Sequence, residues 1–183
     1  MPQVPRWTVF ETRLASKREY RNPLWDAVVT AEFTSPSGKK RTVEAFWDAV
    51  ARTRARGLDI CVHVILGLPG EDKMDMLETA RTLGEMDIQA VKIHLLYVIR
   101  DTPLHRLYEQ GTYACLSREA YVDIVCDFLA LLPPHVIIHR LTGDPHRDEL
   151  VAPLWVLEKQ VNLERIRETL QDRRIWQGKA CPG

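Results

Sequence analysis

The sequence predicts an α/β fold: a partial (βα) barrel arc of parallel strands with flanking helices, plus a short N-terminal antiparallel β segment. Two observations support this prediction. Residues 1–44 contain short stretches in which apolar and polar residues alternate, as they do in half-buried strands. Residues 45–183 instead alternate helix-like and strand-like patterns, which is typical of βαβ units and a parallel sheet. We therefore expect two regions, 1–44 and 45–183.

The N-terminal region is expected to contain three short strands. Residues 7–14 and 25–33 have a hydrophobic period of two, and residues 40–46 have the pattern of a returning strand. Pro36 and Gly38 lie in the turn between the last two, where proline presets a turn corner and glycine permits a positive φ. The pattern predicts a piece of a β-sandwich or meander.

Helices and strands alternate along the rest of the chain. The predicted ranges are a helix from about residue 44 to Gly57, a strand at 58–66, a helix at 73–86, a strand at 89–98, a helix at 117–132, a strand at 135–141 and a last helix at 157–174. Met76, Leu77, Ala80 and Leu83 form one apolar face on the second helix. Ser117 is a suitable N-cap for the third.

Composition limits the class of protein. The chain has 183 residues, of which 45% are hydrophobic and 27% charged, as in an ordinary globular domain. Lys+Arg and Asp+Glu are 25 each, so no net charge attracts DNA or an anionic membrane. No apolar run is long enough for a membrane span, and the N-terminus lacks a signal-peptide core. We expect a cytoplasmic protein that binds neither DNA nor membrane.

Functional loops in parallel α/β folds lie at the carboxyl ends of the strands. The loops in that position are residues 67–72, 98–111 and 142–153. The first, GLPGED, matches neither GxxxxGK[ST] nor GxGxxG. Gly67 and Gly70 permit close backbone approach, and Pro69 stiffens the corner. Asp72 is placed to cap the next helix, and Glu71 either supports that helix end or hydrogen-bonds a ligand. A structural turn and a ligand-binding corner both remain open.

Four ionisable residues interrupt the apolar strands: His63, Lys92, His94 and His139. A buried ionisable group is costly without a partner, so this pattern needs an explanation. It is compatible with a polar cofactor cavity, with three histidines around a metal, or with core histidines that have structural partners. His63, His94 and His139 form no HxH or HxxxH pair with one another that would fix two of these ligands on one element.

The loop after the last strand contains two arginines and two aspartates, Arg140, Asp144, Arg147 and Asp148. Two arginines can hold a carboxylate or phosphate by bidentate hydrogen bonds while acids orient them. A surface ion-pair network is the alternative.

The four cysteines are far apart in sequence, at Cys61, Cys115, Cys126 and Cys181. Thiolates that share a metal or cluster usually lie two or three residues apart, so no such site is predicted. Free thiols in a reducing compartment are the expected state.

Residues 54–72, 91–113, 121–134 and 139–155 resemble the C-terminal half of a radical S-adenosylmethionine (radical SAM) Fe–S oxidoreductase family; the resemblance covers about residues 45–179. It implies a partial barrel of six βα units whose CxxxCxxC loop binds a [4Fe–4S] cluster. The open iron of that cluster chelates S-adenosylmethionine, which then releases a 5′-deoxyadenosyl radical. By this resemblance the cofactor-binding residues are Ile65, Gly67, Leu68, Pro69, Gly70, Glu71, His94, His139 and Arg140.

The chain departs from that family because it contains no CxxxCxxC motif. The ligands of the [4Fe–4S] cluster are therefore absent, and no catalytic or metal-ligating residue is predicted. We expect a truncated radical SAM protein that retains part of the S-adenosylmethionine side of the barrel. Its affinity for S-adenosylmethionine is expected to be weak or lost, and its family substrate, small molecule or macromolecule, is unknown.

Residues 4–48 resemble the N-terminal β-sandwich domain of glycoside hydrolases, which suggests a chimera joined near residue 45. Each partner would then be incomplete, and its open strand edges would favour self-association. Two other functions stay open: a non-catalytic carbohydrate-associated or interaction module, and a metal-dependent α/β hydrolase that uses the strand histidines.

Overall fold

A computed structural model describes residues 30–34, 40–44 and 47–181. In the N-terminal region, β1 (Thr30–Thr34) pairs antiparallel with β2 (Lys40–Glu44), and Thr30 lies opposite Glu44. The predicted strand at residues 7–14 and the turn at Pro36 lie outside the described residues. The sandwich inferred for this region therefore stays a prediction.

The remaining elements follow the alternation that the sequence predicts. They are α1 (Trp47–Arg54), β3 (Cys61–Leu66), α2 (Lys73–Gly84), β4 (Ala90–Leu95), β5 (Val98–Ile99), α3 (Pro103–Glu109), α4 (Arg118–Leu131), β6 (Ile137–Arg140), β7 (Leu150–Ala152), a 3-10 turn (Leu154–Leu157) and α5 (Lys159–Asp172). Helix α1 begins at Trp47, later than predicted, because β2 continues to Glu44.

Three parallel strands form the central sheet in the order β3-β4-β6. Cys61 pairs with Ala90 and Leu66 with Leu95, so β3 and β4 are in register over their full length. The register between β4 and β6 shifts between Val91 and Lys92. The observed architecture is thus a mixed α/β fold with a three-stranded parallel sheet, and the barrel arc stays a prediction.

Helices cover one face of this sheet. Alternate residues of β3 (Val62, Val64 and Leu66) are buried on that side, as period-two packing requires. The α2 face predicted from sequence is confirmed, since Met76, Leu77, Ala80 and Leu83 are all buried. Helix α4 lies between α2 and α5 and is buried over much of its circumference, including Tyr121 and Phe128. The main hydrophobic core therefore lies on the helical side of the sheet.

Ion pairs join the helices of this layer. Lys73 on α2 contacts both Asp123 and Asp127 on α4, with 2.6 Å between Lys73 Nζ and Asp127 Oδ2. Arg173, immediately after α5, bonds the other oxygens of the same two carboxylates. Burial raises the pKa of the Asp127 carboxyl, but the two cations outweigh it and hold that pKa below its usual value. Two carboxylates and two cations thus connect three helices.

Two features of the carboxyl end of the sheet were not predicted. Residues 98–111 were expected to be a loop, yet they contain α3, whose N-cap is Thr102 and whose first residue is proline. Strands β5 and β7 pair antiparallel beside them. Both strands are very short, so they provide almost no periodic signal.

None of the helices in the described ranges combines the length and apolar character that a membrane crossing requires.

Candidate functional site

The loop after β3 turns sharply at Gly67, as the glycine pattern predicts. Gly67 has φ +88°, and its carbonyl accepts a hydrogen bond from the Tyr113 hydroxyl at 3.0 Å. A Cβ at this position would lie 3.1 Å from Cδ1 of Leu116. Both the positive φ and the close neighbour favour glycine. The backbone at the end of β3 is therefore held against the segment that precedes α4.

Glu71 binds the corner itself. Its Oε2 accepts a hydrogen bond from the Leu68 amide at 3.2 Å, so the side chain closes the turn. This contact is with the loop's own backbone, and the roles predicted for Glu71, support of the helix end or a hydrogen bond to a ligand, stay predictions. Burial raises the pKa of the Glu71 carboxyl. Glu71 is thus a positioning residue for the Gly67–Glu71 corner.

Asp72 caps α2, as predicted. Its Oδ1 accepts hydrogen bonds from the Met74 amide at 2.7 Å and the Asp75 amide at 3.0 Å. The Asp75 carboxylate in turn accepts a hydrogen bond from the Asp72 amide at 3.1 Å, which completes a capping box. The helix start is therefore fixed immediately after the corner.

A small cavity of about 160 Å³ adjoins this corner. Its lining residues are Gly67, Leu68, Pro69, Gly70, Glu71, Thr112, Tyr113, Ala114 and Leu116. Gly70 has φ +87°, and a Cβ there would meet no atom of the described residues within 4 Å. The sequence predicts the side of the cavity formed by residues 67–71. It gives no signal for the opposite side, formed by Thr112, Tyr113, Ala114 and Leu116, which share no motif with the first. The volume is below the roughly 300 Å³ of a typical small-molecule site, so the cavity is too small for a whole ligand of that class.

The sheet face opposite the helices is open and polar. His63 on β3 lies opposite Lys92 on β4, and Lys92 lies opposite Arg140 on β6. The His63 and His94 rings stack with centroids 5.3 Å apart. Burial lowers the pKa of the His94 imidazole, and the nearby charges of Arg140, His63 and Lys92 lower it further. Four of the residues singled out from sequence therefore share one face.

His139 takes a different place from its neighbours. The register shift between β4 and β6 puts Arg140, not His139, opposite Lys92, and His139 is exposed. Ile65 lies opposite His94 on the open face and is 45% exposed. Period-two counting cannot anticipate this bulge, which leaves no β4 residue directly opposite His139.

The arginine-rich loop forms surface ion pairs. Arg140 Nη2 lies 3.7 Å from Asp144 Oδ2, and Lys159 Nζ lies 3.5 Å from the same oxygen. Arg147 and Asp148 are exposed. These contacts favour the ion-pair interpretation for Asp144 and leave Arg140 as the arginine of this loop that reaches the sheet face.

The cysteines do not form a cluster site. Cys61 is exposed at the start of β3, whereas Cys126 is buried in α4 and its thiol donates to the Ile166 carbonyl at 3.7 Å. Cys181 donates to the Leu131 carbonyl at 3.2 Å, and Cys115 lies beside Tyr113. Over the described ranges, no three His, Cys, Asp or Glu residues lie close enough to hold a metal ion. These residues do not fit a [4Fe–4S] cluster, and the three-histidine metal site gains no geometric support.

Two family descriptions match separate parts of the chain. Residues 88–172, from just before β4 to the end of α5, match the Radical_SAM C-terminal domain. Residues 3–56 match a domain of unknown function, DUF5060. The second description states no activity, so the likeness to glycoside hydrolases stays a prediction.

The regions that match similar proteins make up most of this chain but less than half of each relative. The uncharacterized protein YtqA of Bacillus subtilis is 40% identical over 132 residues, which are 72% of this chain and 41% of YtqA. Protein YhcC of Escherichia coli K12 is 30% identical over 69% of this chain and 41% of its own. Elongator complex protein 3 of Saccharomyces cerevisiae is 28% identical over 79% of this chain and 25% of its own. The chain thus spans about 41% of the length of the first two.

A solved structure has the same fold. The archaeal Methanocaldococcus infernus Elp3 with an N-terminal deletion superposes with a TM-score of 0.60 over 73% of this chain and 32% of that one, at 16% identity. Together with the domain match, this similarity relates the chain to radical SAM proteins. Their cofactors, S-adenosylmethionine and a [4Fe–4S] cluster, are implied for those relatives.

Proposed function

We propose that residues 45–183 form the C-terminal part of a radical SAM barrel and provide one side of an S-adenosylmethionine site. The observation that carries the proposal is the buried, positive-φ Gly67 at the carboxyl end of an edge strand, with a cavity beside it. Leu116 packs against Gly67, whereas Gly70 has open space beside its Cα, so the backbone at Gly70 allows a flat ligand to approach closely. Gly67, Leu68, Pro69 and Gly70 would lie against the adenosine end.

The open sheet face supports the same proposal. Parallel sheets are normally covered on both faces, yet Ile65 and Ile137 are 45% and 60% exposed on the side away from the helices. Such a face requires further strands or a partner to cover it, as the lumen side of an incomplete barrel would. Open strand edges also make self-association of the isolated chain part of the proposal.

When bound to a reduced cluster, S-adenosylmethionine supplies a 5′-deoxyadenosyl radical. The cysteines of this chain do not provide the three close thiolates that a cluster needs, so we propose that the chain alone is not catalytic. Anaerobic reconstitution with iron and sulfide tests this part. A stoichiometric [4Fe–4S] absorption band on the isolated chain would overturn it.

Binding at the corner is tested with asparagine substitutions, because asparagine tolerates a positive φ better than most residues. Gly70→Asn places a side chain in open space beside the cavity. Gly57→Asn is the matched control, at φ +70° and with no atom within 4 Å in the part of the chain that the structure describes. We expect S-adenosylhomocysteine to bind with a dissociation constant on the order of 1 mM, detected by amide chemical shifts. Gly70→Asn is expected to abolish these shifts, and Gly57→Asn to preserve them. Equal binding by both variants would refute the corner as the site.

A further inference from the structure

The open face of the central sheet carries basic side chains but no carboxylates at its paired strand positions. Its strand positions, read from the pairing of β3, β4 and β6, are Cys61, His63, Ile65, Ala90, Lys92, His94, Ile137 and Arg140. Half of them carry a cationic or imidazole side chain, and none of these eight positions carries a carboxylate. Repulsion between the Lys92 and Arg140 cations, which lie opposite each other on neighbouring strands, disfavours an empty face and favours an anion placed over it.

The basic side chains of this face are adjacent across the three strands. His63, Lys92 and Arg140 occupy one row, since Lys92 pairs with His63 on one side and with Arg140 on the other. Neighbouring strands lie about 4.8 Å apart, so an anion above Lys92 would be within reach of both flanking side chains. His94 is next to this row and stacks on His63.

One polar atom of this cluster lacks a partner. Nε2 of His94 is buried and has no hydrogen-bond partner among the described residues. A buried polar atom without a partner is destabilising, and a bound ligand that supplies one removes that penalty. Within the described ranges, the ion pair of Arg140 is a long one, 3.7 Å to Asp144, which also faces Lys159 at 3.5 Å. Both groups therefore retain capacity for a further acceptor.

We infer that this face binds an anionic group of the substrate, carboxylate or phosphoryl, through Lys92, Arg140 and Nε2 of His94. The inference rests on the proposed function, because it assigns the substrate class of the same half-barrel. Along β3, Lys92 is level with His63, four residues or about 13 Å before Gly67. The anion would thus lie nearer the amino ends of the strands than the adenosine corner does. The distance between the anion and the corner would leave space for the reacting part of the substrate.

The test is a titration of the full chain with inorganic phosphate and, separately, acetate, followed by the side-chain nitrogen shifts of His94. We expect saturable shifts, and the tighter of the two anions identifies the phosphoryl or carboxylate class. Lys92→Gln and Arg140→Gln should each raise the dissociation constant about tenfold, as for loss of a charge-assisted hydrogen bond. Arg147→Gln, an exposed arginine of the same loop, is the matched control and should bind as the wild type does.

Two outcomes overturn the inference: no saturable shift with either anion, or equal weakening by all three variants. A parallel titration with uncharged 5′-deoxyadenosine separates this inference from the proposed function. Nucleoside shifts at Gly67–Gly70 without anion shifts at His94 would refute the anion site and leave the corner intact. Anion binding without nucleoside binding would support the anion site and refute the corner.

Discussion

Substitution of Gly67 by alanine tests the geometry of the corner most sharply, because the neighbouring Gly70 provides a matched comparison. The two residues have nearly equal φ, +88° and +87°, so alanine has the same backbone penalty at each, about 1–2 kcal/mol. Only Gly67 has a close neighbour, since its Cβ would lie 3.1 Å from Leu116 Cδ1. Displacing Leu116 adds about 1 kcal/mol. We expect Gly67→Ala to lower the free energy of unfolding by about 2–3 kcal/mol and Gly70→Ala by about 1–2 kcal/mol.

The assay is urea denaturation of the full chain, followed by far-ultraviolet circular dichroism. A double-mutant cycle of Gly67→Ala with Leu116→Ala isolates the steric part, and we expect a favourable coupling of about 1 kcal/mol because the truncated side chain makes room for the new methyl group. Equal destabilisation by Gly67→Ala and Gly70→Ala, with no coupling to Leu116, would refute the close approach at the end of β3.

Three further predictions concern the helical layer, the C-terminal segment and the open face. Asp127→Asn removes two partly exposed ion pairs and should lower the free energy of unfolding by about 1–2 kcal/mol at neutral pH. Because the folded pKa of Asp127 is depressed, the stability difference between wild type and variant should shrink as the pH falls below about 4. Gly178 has φ +82°, and Gly178→Ala puts a Cβ 2.7 Å from Pro134. The substitution should weaken the packing of residues 177–181 against the rest of the fold, and faster amide hydrogen exchange in those residues would show it. The folded pKa of His94 lies below its unfolded value of about 6.5, so wild-type stability should decline as the pH falls through and below 6.5. His94→Gln should flatten that decline in denaturation curves, and an unchanged slope would contradict the burial of this imidazole.

Periodicity was sufficient to predict the helices that cover the sheet. Met76, Ala80 and Leu83 lie at the helical spacing i, i+4, i+7 and are buried. Asp72 and Ser117 cap α2 and α4 where short-range chemistry places them. These are local signals, because each depends on residues within about one turn of the helix. They do not specify which face of the sheet remains open.

The other side of the corner could not be predicted, because it depends on tertiary contact. Tyr113 and Leu116 approach Gly67 from 46 and 49 residues away, and no local pattern connects them. The same limit applies to His139, whose position depends on a shift of register between β4 and β6. Sequence therefore identified which residues are unusual, whereas contacts between distant segments determine which of them share a site.

The position of a bound nucleoside shows whether the Gly67–Gly70 corner is the adenosine side of the site. Intermolecular nuclear Overhauser effects between the ribose and adenine protons of 5′-deoxyadenosine and the full chain locate that position without requiring catalysis. We expect the nucleoside protons to contact the backbone amides of Gly67, Leu68 and Gly70 and the ring of Tyr113. Contacts confined to other surfaces, such as the groove between α1 and β3 near Val50 and Ile60, would contradict it.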